Sequence, residues 1–153
     1  MTTSPFNTPY RGGFVGSTHH FALTVYFEDT DTAGIVYYAN YLKFMERARS
    51  DMLRAAGIDQ RAAKDDGVGV YAVAEANVKY RLPAKLGDDL LIVSTVRDVR
   101  AASVHIHQRV MRGGRPLADG QITAAFLGPD DRPRRQPREW VDAFRQLIVR
   151  DDA

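Results

Sequence analysis

Three acidic side chains, Glu28, Asp29 and Asp31, fall almost in succession, and Gly34, Tyr37 and Tyr38 follow closely. A carboxylate in such a run can act as a general base toward water or as a nucleophile toward an electrophilic carbon. Gly34 adopts backbone conformations closed to other residues and lets a ligand approach the main chain. The same residue types also build turns, and Asp31 suits the capping of a turn or helix as well as it suits chemistry.

The element that positions these groups comes next. Apolar residues fall at Tyr41, Leu42, Met45, Ala48, Met52, Leu53 and Ala56, a spacing of threes and fours that predicts an α-helix with one buried stripe. Asn40 is placed to cap its start, and Gly57 to end it in the left-handed conformation. A carboxylate held just before this helix would stand beside free amides and a dipole able to stabilise developing negative charge. Further along, Glu46 and Arg49, and Arg47 and Asp51, have the spacing of surface ion pairs.

Around the helix the chain reads as a single domain. Residues 1–20, rich in Gly, Pro, Ser and Thr and without periodicity, predict a flexible N-terminal arm, and 21–150 the folded domain. Strands are predicted over 21–27, 68–80, 90–97, 103–111 and 117–127, with a further helical turn over 59–66 and a hairpin at Gly113-Gly114. Trp140, Val141, Phe144, Leu147 and Ile148 mark the apolar side of a terminal helix. One strand, one long helix, four antiparallel strands and a closing helix make an α+β arrangement, with the long helix covering a face of the sheet.

Composition narrows the chemistry. The chain has 153 residues and no cysteine, so disulfides, thiolate metal ligands and a cysteine nucleophile are excluded. Its 21 basic residues are nearly matched by 19 acidic ones, which argues against a nucleic-acid partner despite a pI of about 9.0. His105 and His107 share a strand face but have no third ligand nearby, so no metal site is predicted. No apolar run approaches the roughly 20 residues of a membrane span, and the N-terminus lacks the apolar core of a signal peptide. The expected location is the cytoplasm. Two readings fit the basic cluster Arg132, Arg134, Arg135 and Arg138: a solvated loop, or a grip for phosphate groups.

The run DTDTAGIVYYANYLKFMERAR, set after the first strand and ahead of four more, resembles the hotdog-fold acyl-CoA thioesterases, specifically the 4-hydroxybenzoyl-CoA and Tol–Pal-associated groups. The resemblance runs from about Phe21 to the terminal helix. It implies a five-stranded antiparallel sheet wrapped around the central helix, and dimers with a continuous sheet, often paired into tetramers. It also implies hydrolysis of acyl-CoA between subunits, with no metal or redox cofactor. On the matching positions, Asp31 is the catalytic carboxylate, as base or nucleophile, and the Tyr38 backbone amide supplies the oxyanion hole. Gly34, Tyr37, Arg134 and Arg135 are then expected to contact substrate. Tyr38 matches the 4-hydroxybenzoyl group, where the Tol–Pal-associated proteins usually carry a histidine. A non-catalytic acyl-CoA-binding or scaffold protein on the same fold is the alternative, since fold alone does not determine function.

Overall fold

The computed structural model describes residues 4–148. Its elements in chain order are β1 (Gly13–Val15), β2 (Thr18–Thr24), α1 (Asn40–Ala55), α2 (Gln60–Asp65), β3 (Val70–Tyr80), β4 (Asp89–Val99), β5 (Ser103–Arg112), β6 (Arg115–Leu127) and α3 (Arg138–Leu147). The six strands form one antiparallel sheet in the order β1-β2-β4-β5-β6-β3. Alternate residues of the central strands, among them Ile92, Val96, Val104, Ile106, Ile122 and Phe126, are buried on the face that α1 covers. This is the expected hotdog arrangement, with one more strand than expected.

The helix lies against the sheet through Tyr41, Phe44, Met45, Ala48 and Met52, all buried. Met45 comes down where Gly120 has no side chain; a Cβ there would stand 2.8 Å from its sulfur. Along its length α1 lies most heavily against β1, β2 and β4. At the C-terminal end Gly57 has φ +87°, Gly57 N–H donates to Arg54 O at 3.0 Å, and Ile58 N–H donates to Leu53 O at 2.9 Å. That is the expected glycine stop. Beyond it α3 buries Phe144 completely and sets Trp140 edge-on to Phe126 at 5.4 Å.

Four expectations change. The stretch assigned to an arm contains the β1–β2 hairpin, whose two-residue turn Gly16-Ser17 has Gly16 at φ +62°; positions 1–3 and 149–150 lie outside the described residues. The first strand ends at Thr24 rather than at 27, because Phe27–Asp29 form a 3₁₀ turn. Leu42 is 42% exposed, on the side of α1 turned from the core. The fourth is Asp51. Instead of pairing with Arg47 at the surface, it is buried, accepting from His19 Nε2 at 2.7 Å and from the Gly12 amide at 3.0 Å. Arg49 likewise makes no ion pair among the described residues; it donates to Gln108 Oε1 at 3.0 Å, and Glu46 accepts from Ser50 Oγ at 2.8 Å.

The His19–Asp51 bond fastens the N-terminal hairpin to the helix. His19 is fully buried, its Nδ1 has no hydrogen-bond partner, and Phe14 meets the ring edge-on at 5.4 Å. Burial lowers the imidazole pKa from its ordinary 6.5, with Asp51 pulling the other way. Protonation would bury a second N–H without an acceptor, so the neutral ring is the folded form. Two expectations follow for melting temperature. Asp51→Ala leaves the imidazole and the Gly12 amide unpaired and should destabilise the fold by about 2–4 kcal/mol. A depressed folded-state pKa means that the contribution of His19 is complete above pH 6.5 and is lost as pH falls through the lower folded value. Acid destabilisation in that window should be weaker in a folded His19→Gln variant; an identical pH profile would refute the assignment.

Candidate active site

The acidic turn is a small structure built on backbone bonds. Asp31 N–H donates to Ile35 O at 2.9 Å and Gly34 N–H to Asp31 O at 3.0 Å, closing a loop in which Gly34 sits at φ +76°. A side chain at Gly34 would be strained whatever the space around it. Thr30 and Val36 bridge across the loop, and Ile35 bridges to Lys85. Leu86 N–H reaches Gly34 O at 3.3 Å, and Val36 N–H reaches Ala84 O at 2.8 Å. The turn is therefore carried by the 81–88 segment as well as by its own bonds. Asp88 steadies that segment: the Lys85 amide and Arg112 Nη1 both donate to its Oδ2, at 2.8 and 2.7 Å, and hold its carboxyl below the usual range.

Within this frame Asp31 does two things. Its Oδ1 accepts from the Ala33 amide at 2.9 Å, which is the turn-capping role. Its Oδ2 accepts no hydrogen bond among the described residues, and the side chain is exposed. Asp29 differs: its Oδ2 takes the Tyr26 amide at 2.9 Å, and its carbonyl takes both the Tyr37 amide at 3.0 Å and Asn40 Nδ2 at 2.9 Å. Asn40 was expected to cap α1, but its side chain ties the helix start to the acidic turn instead. Helix entry runs through i→i+3 bonds, Asn40 N–H to Tyr37 O at 2.8 Å and Tyr41 N–H to Tyr38 O at 3.3 Å. The amides of Tyr38 and Ala39 donate to no group among the described residues. They are the orphan donors of the helix N-terminus.

Aromatic rings wall the site. Tyr37 and Tyr38, 47% and 62% exposed, stand edge-to-face at 5.1 Å. Tyr80, at the end of β3, meets Tyr38 at 6.0 Å and Tyr41 at 5.3 Å, and its hydroxyl donates to Tyr38 O at 3.2 Å. Burial raises the phenol pKa of both Tyr41 and Tyr80. Tyr38, Tyr41 and Tyr80, with Val36, Arg81 and Leu82, line a groove of about 220 Å³. Tyr41 and Tyr80 are site residues that the sequence reading missed. They lie 39 positions apart, and only the folding of β3 beside α1 brings them together.

Arg134 and Arg135 are not part of this groove. Arg134 Nη1 donates to Gly67 O at 3.2 Å and Val68 O at 2.9 Å, just before β3 begins, while Tyr80 and Tyr38 meet where β3 ends. The 11-residue strand separates the two ends by about 33 Å. Arg135 is exposed, and His107 lies on the outer face of the sheet, 3.3 Å from Asp119 Oδ1.

The description that matches this chain among known protein families is the thioesterase-like superfamily, over residues 25–146. The acyl-CoA thioesterase YbgC of Haemophilus influenzae is 34% identical over 128 residues, 83% of this chain and 94% of that protein. The acyl-CoA thioester hydrolase YbgC of Escherichia coli O157:H7 is 35% identical over 148 residues, 95% of this chain and all of that protein. Among solved structures, a probable thioesterase from Bartonella henselae superposes with a TM-score of 0.75 at 30% identity, covering 78% of this chain and 99% of its own. A carboxylate with one uncommitted oxygen, the unused amides at a helix start and these likenesses agree, and the chain belongs to the thioesterase-like superfamily.

Proposed function

We infer that the chain hydrolyses acyl-CoA thioesters to the free acid and CoA, with Asp31 as the acting carboxylate and the Tyr38 amide as the oxyanion donor. The observation that carries this reading is the free Oδ2 of Asp31 on the same short loop as the unused Tyr38 and Ala39 amides. Asp31 either takes a proton from the water that adds to the thioester carbonyl, or adds itself to give a mixed anhydride that water then opens. The negative charge that gathers on the carbonyl oxygen meets the Tyr38 N–H, and the proton from water goes to the departing sulfur. Collapse breaks the C–S bond, CoA leaves as the thiol, and the acid is released. Gly34 keeps the approach to the main chain open, and Tyr37 packs against the acyl end of the thioester.

Self-association completes the reading. β3 is an edge strand with Val70, Val73 and Tyr80 each at least 40% exposed, and its outer backbone groups have no strand to pair with among the described residues. Antiparallel pairing of two copies of β3 would bring the start of one strand to the end of the other. The partner's Arg134 and Arg135 would then lie beside this chain's Tyr80, within reach of CoA phosphates. A dimer, or a dimer of dimers, is the expected assembly. Light scattering at assay concentration should report it; a fully active monomer would sink this arrangement.

Two mutational outcomes test the chemistry, read with a thiol-trapping assay on a panel of acyl-CoAs. Asp31→Asn keeps an oxygen for the Ala33 amide but cannot act as base or nucleophile, so kcat should fall by about a hundredfold or more with the melting temperature little changed. Asp29→Asn should keep most of its turnover, since that side chain serves the turn. A folded Asp31→Asn enzyme with near-normal kcat would make Asp31 structural. For the arginines, Arg135→Ala should raise KM with little change in kcat, the pattern of lost uniform binding. Arg134→Ala should do the same and also lower the melting temperature, because it frees the Gly67 and Val68 carbonyls. An unchanged KM in both would return the cluster to a solvated loop.

A further inference from the structure

A second pocket lies at the other end of the same helix. Glu46, Arg49, Ser50 and Leu53 of α1 face Tyr71 and Val73 of β3 across a space of about 140 Å³, floored by apolar residues of β5 and β6. A cavity near 150 Å³ is enough for a benzene-sized group. The half-buried guanidinium of Arg49 lines this space, and its one side-chain bond among the described residues is to a neutral amide oxygen, Gln108 Oε1. Gln108 cannot turn away: it is fully buried, with its Nε2 donating to Met45 O and Ser94 Oγ, both at 2.9 Å. Glu46 is exposed at the mouth and bound to Ser50. Burial pulls the Arg49 pKa down and Glu46 pushes it back up, but a guanidinium stays charged. A half-buried cation over an apolar floor, with donors to spare, can take an anion.

The pocket is joined to the acidic turn by the layout of the chain. Tyr38 meets Tyr80 at one end, and Arg49 and Leu53 share the pocket with Tyr71 and Val73 at the other. Helix numbers rise as strand numbers fall, so α1 and β3 run side by side and antiparallel. The two pockets therefore sit on the same helix–strand pair, one toward each end, and Leu42 is exposed on the helix between them. Arg49 lies nine residues into the helix from Asn40, about 14 Å along its axis.

We propose that the Arg49 pocket is the far-end subsite for the acyl group, and that it selects acyl chains carrying a terminal carboxylate. This rests on the thioesterase reading above. With the thioester at the Asp31 turn, the acyl chain runs along α1 beside the edge of β3, and its terminal carboxylate takes the free guanidinium donors. Glu46 opposes the guest from the exposed mouth, where solvent screens it.

The test compares mono-CoA thioesters of medium-chain dicarboxylic acids with methyl-terminated acyl-CoAs of equal length. Wild type should favour the carboxylate series by at least about tenfold in kcat/KM, the range of a charge-assisted bond. Arg49→Met should bring that ratio near one, and Glu46→Gln should raise it by about twofold to fivefold. In an active enzyme, equal kcat/KM for the two series overturns the subsite, and so does a ratio that Arg49→Met leaves intact. Should Arg49→Met fail to fold, the wild-type and Glu46→Gln ratios decide. If no acyl-CoA of either series is hydrolysed, the thioesterase reading fails and the subsite is judged by binding alone. Free medium-chain dicarboxylic acids should then raise the melting temperature of wild type but not of Arg49→Met, and no shift in wild type refutes the site.

Discussion

Two hydrogen bonds to the Asp29 carbonyl, from the Tyr37 amide and from Asn40 Nδ2, determine where the helix begins. A helix start has more donors than acceptors, and most proteins satisfy one of them with a side-chain oxygen at the cap. Here that position is Ala39, which offers none. The Asn40 side chain points backwards as a donor instead, and locks the acidic turn to the first turn of α1. Both consequences matter for chemistry. The Tyr38 and Ala39 amides precede the first helical hydrogen bond and stay free, and the loop bearing Asp31 cannot drift from them because its neighbour Asp29 holds the helix.

Such an arrangement needs a helix that is immobile, and the core supplies this from several directions. Met45 settles onto Gly120, and the Gln108 amide donates to the Met45 carbonyl from inside the sheet. Asp51 takes His19 and the Gly12 amide on the opposite side. These polar contacts contribute little net stability while paired, yet breaking one leaves a buried group unsatisfied. They therefore discriminate against sliding or rotating the helix more sharply than apolar contact alone, which is tolerant of small displacements. The helix is in this way pinned to β2 through His19 and to β5 through Gln108.

How much of this was legible in the sequence depends on the distance over which each contact acts. The acidic turn, the reach of α1, its glycine stop and the four later strands are local patterns, and they appear within a residue or two of where periodicity and turn chemistry put them. Gly113-Gly114, both at positive φ, form the hairpin turn their types demand. The β1–β2 hairpin was hidden because a three-residue strand among glycines and threonines has no period to detect. Asp51 carried a signal that went unused: it falls on the buried stripe with Phe44, Ala48 and Met52, where a carboxylate must find a partner. Its partner, 32 positions away, could not be read from the helix, and neither could Gln108 for Arg49, 59 positions away. Helical spacing made ion pairs the natural assignment there, and tertiary packing replaced them with bonds into the sheet.

The edge strand ties these features into one functional logic. β3 pairs with β6 along its inner side, shifts register between Val73 and Glu75, and leaves its other side open. That exposure is a liability for a lone chain. The strand also borders the two pockets that α1 and β3 share, one at the tyrosines near the helix start and one at Arg49 further along. In the proposed assembly a second copy on β3 would stand beside both. Excluding water there would strengthen the interactions at both ends, at the helix-start amides and the guanidinium alike. On the proposed function, assembly and catalysis become one requirement, because the edge strand a second copy would cover is the strand that borders both pockets.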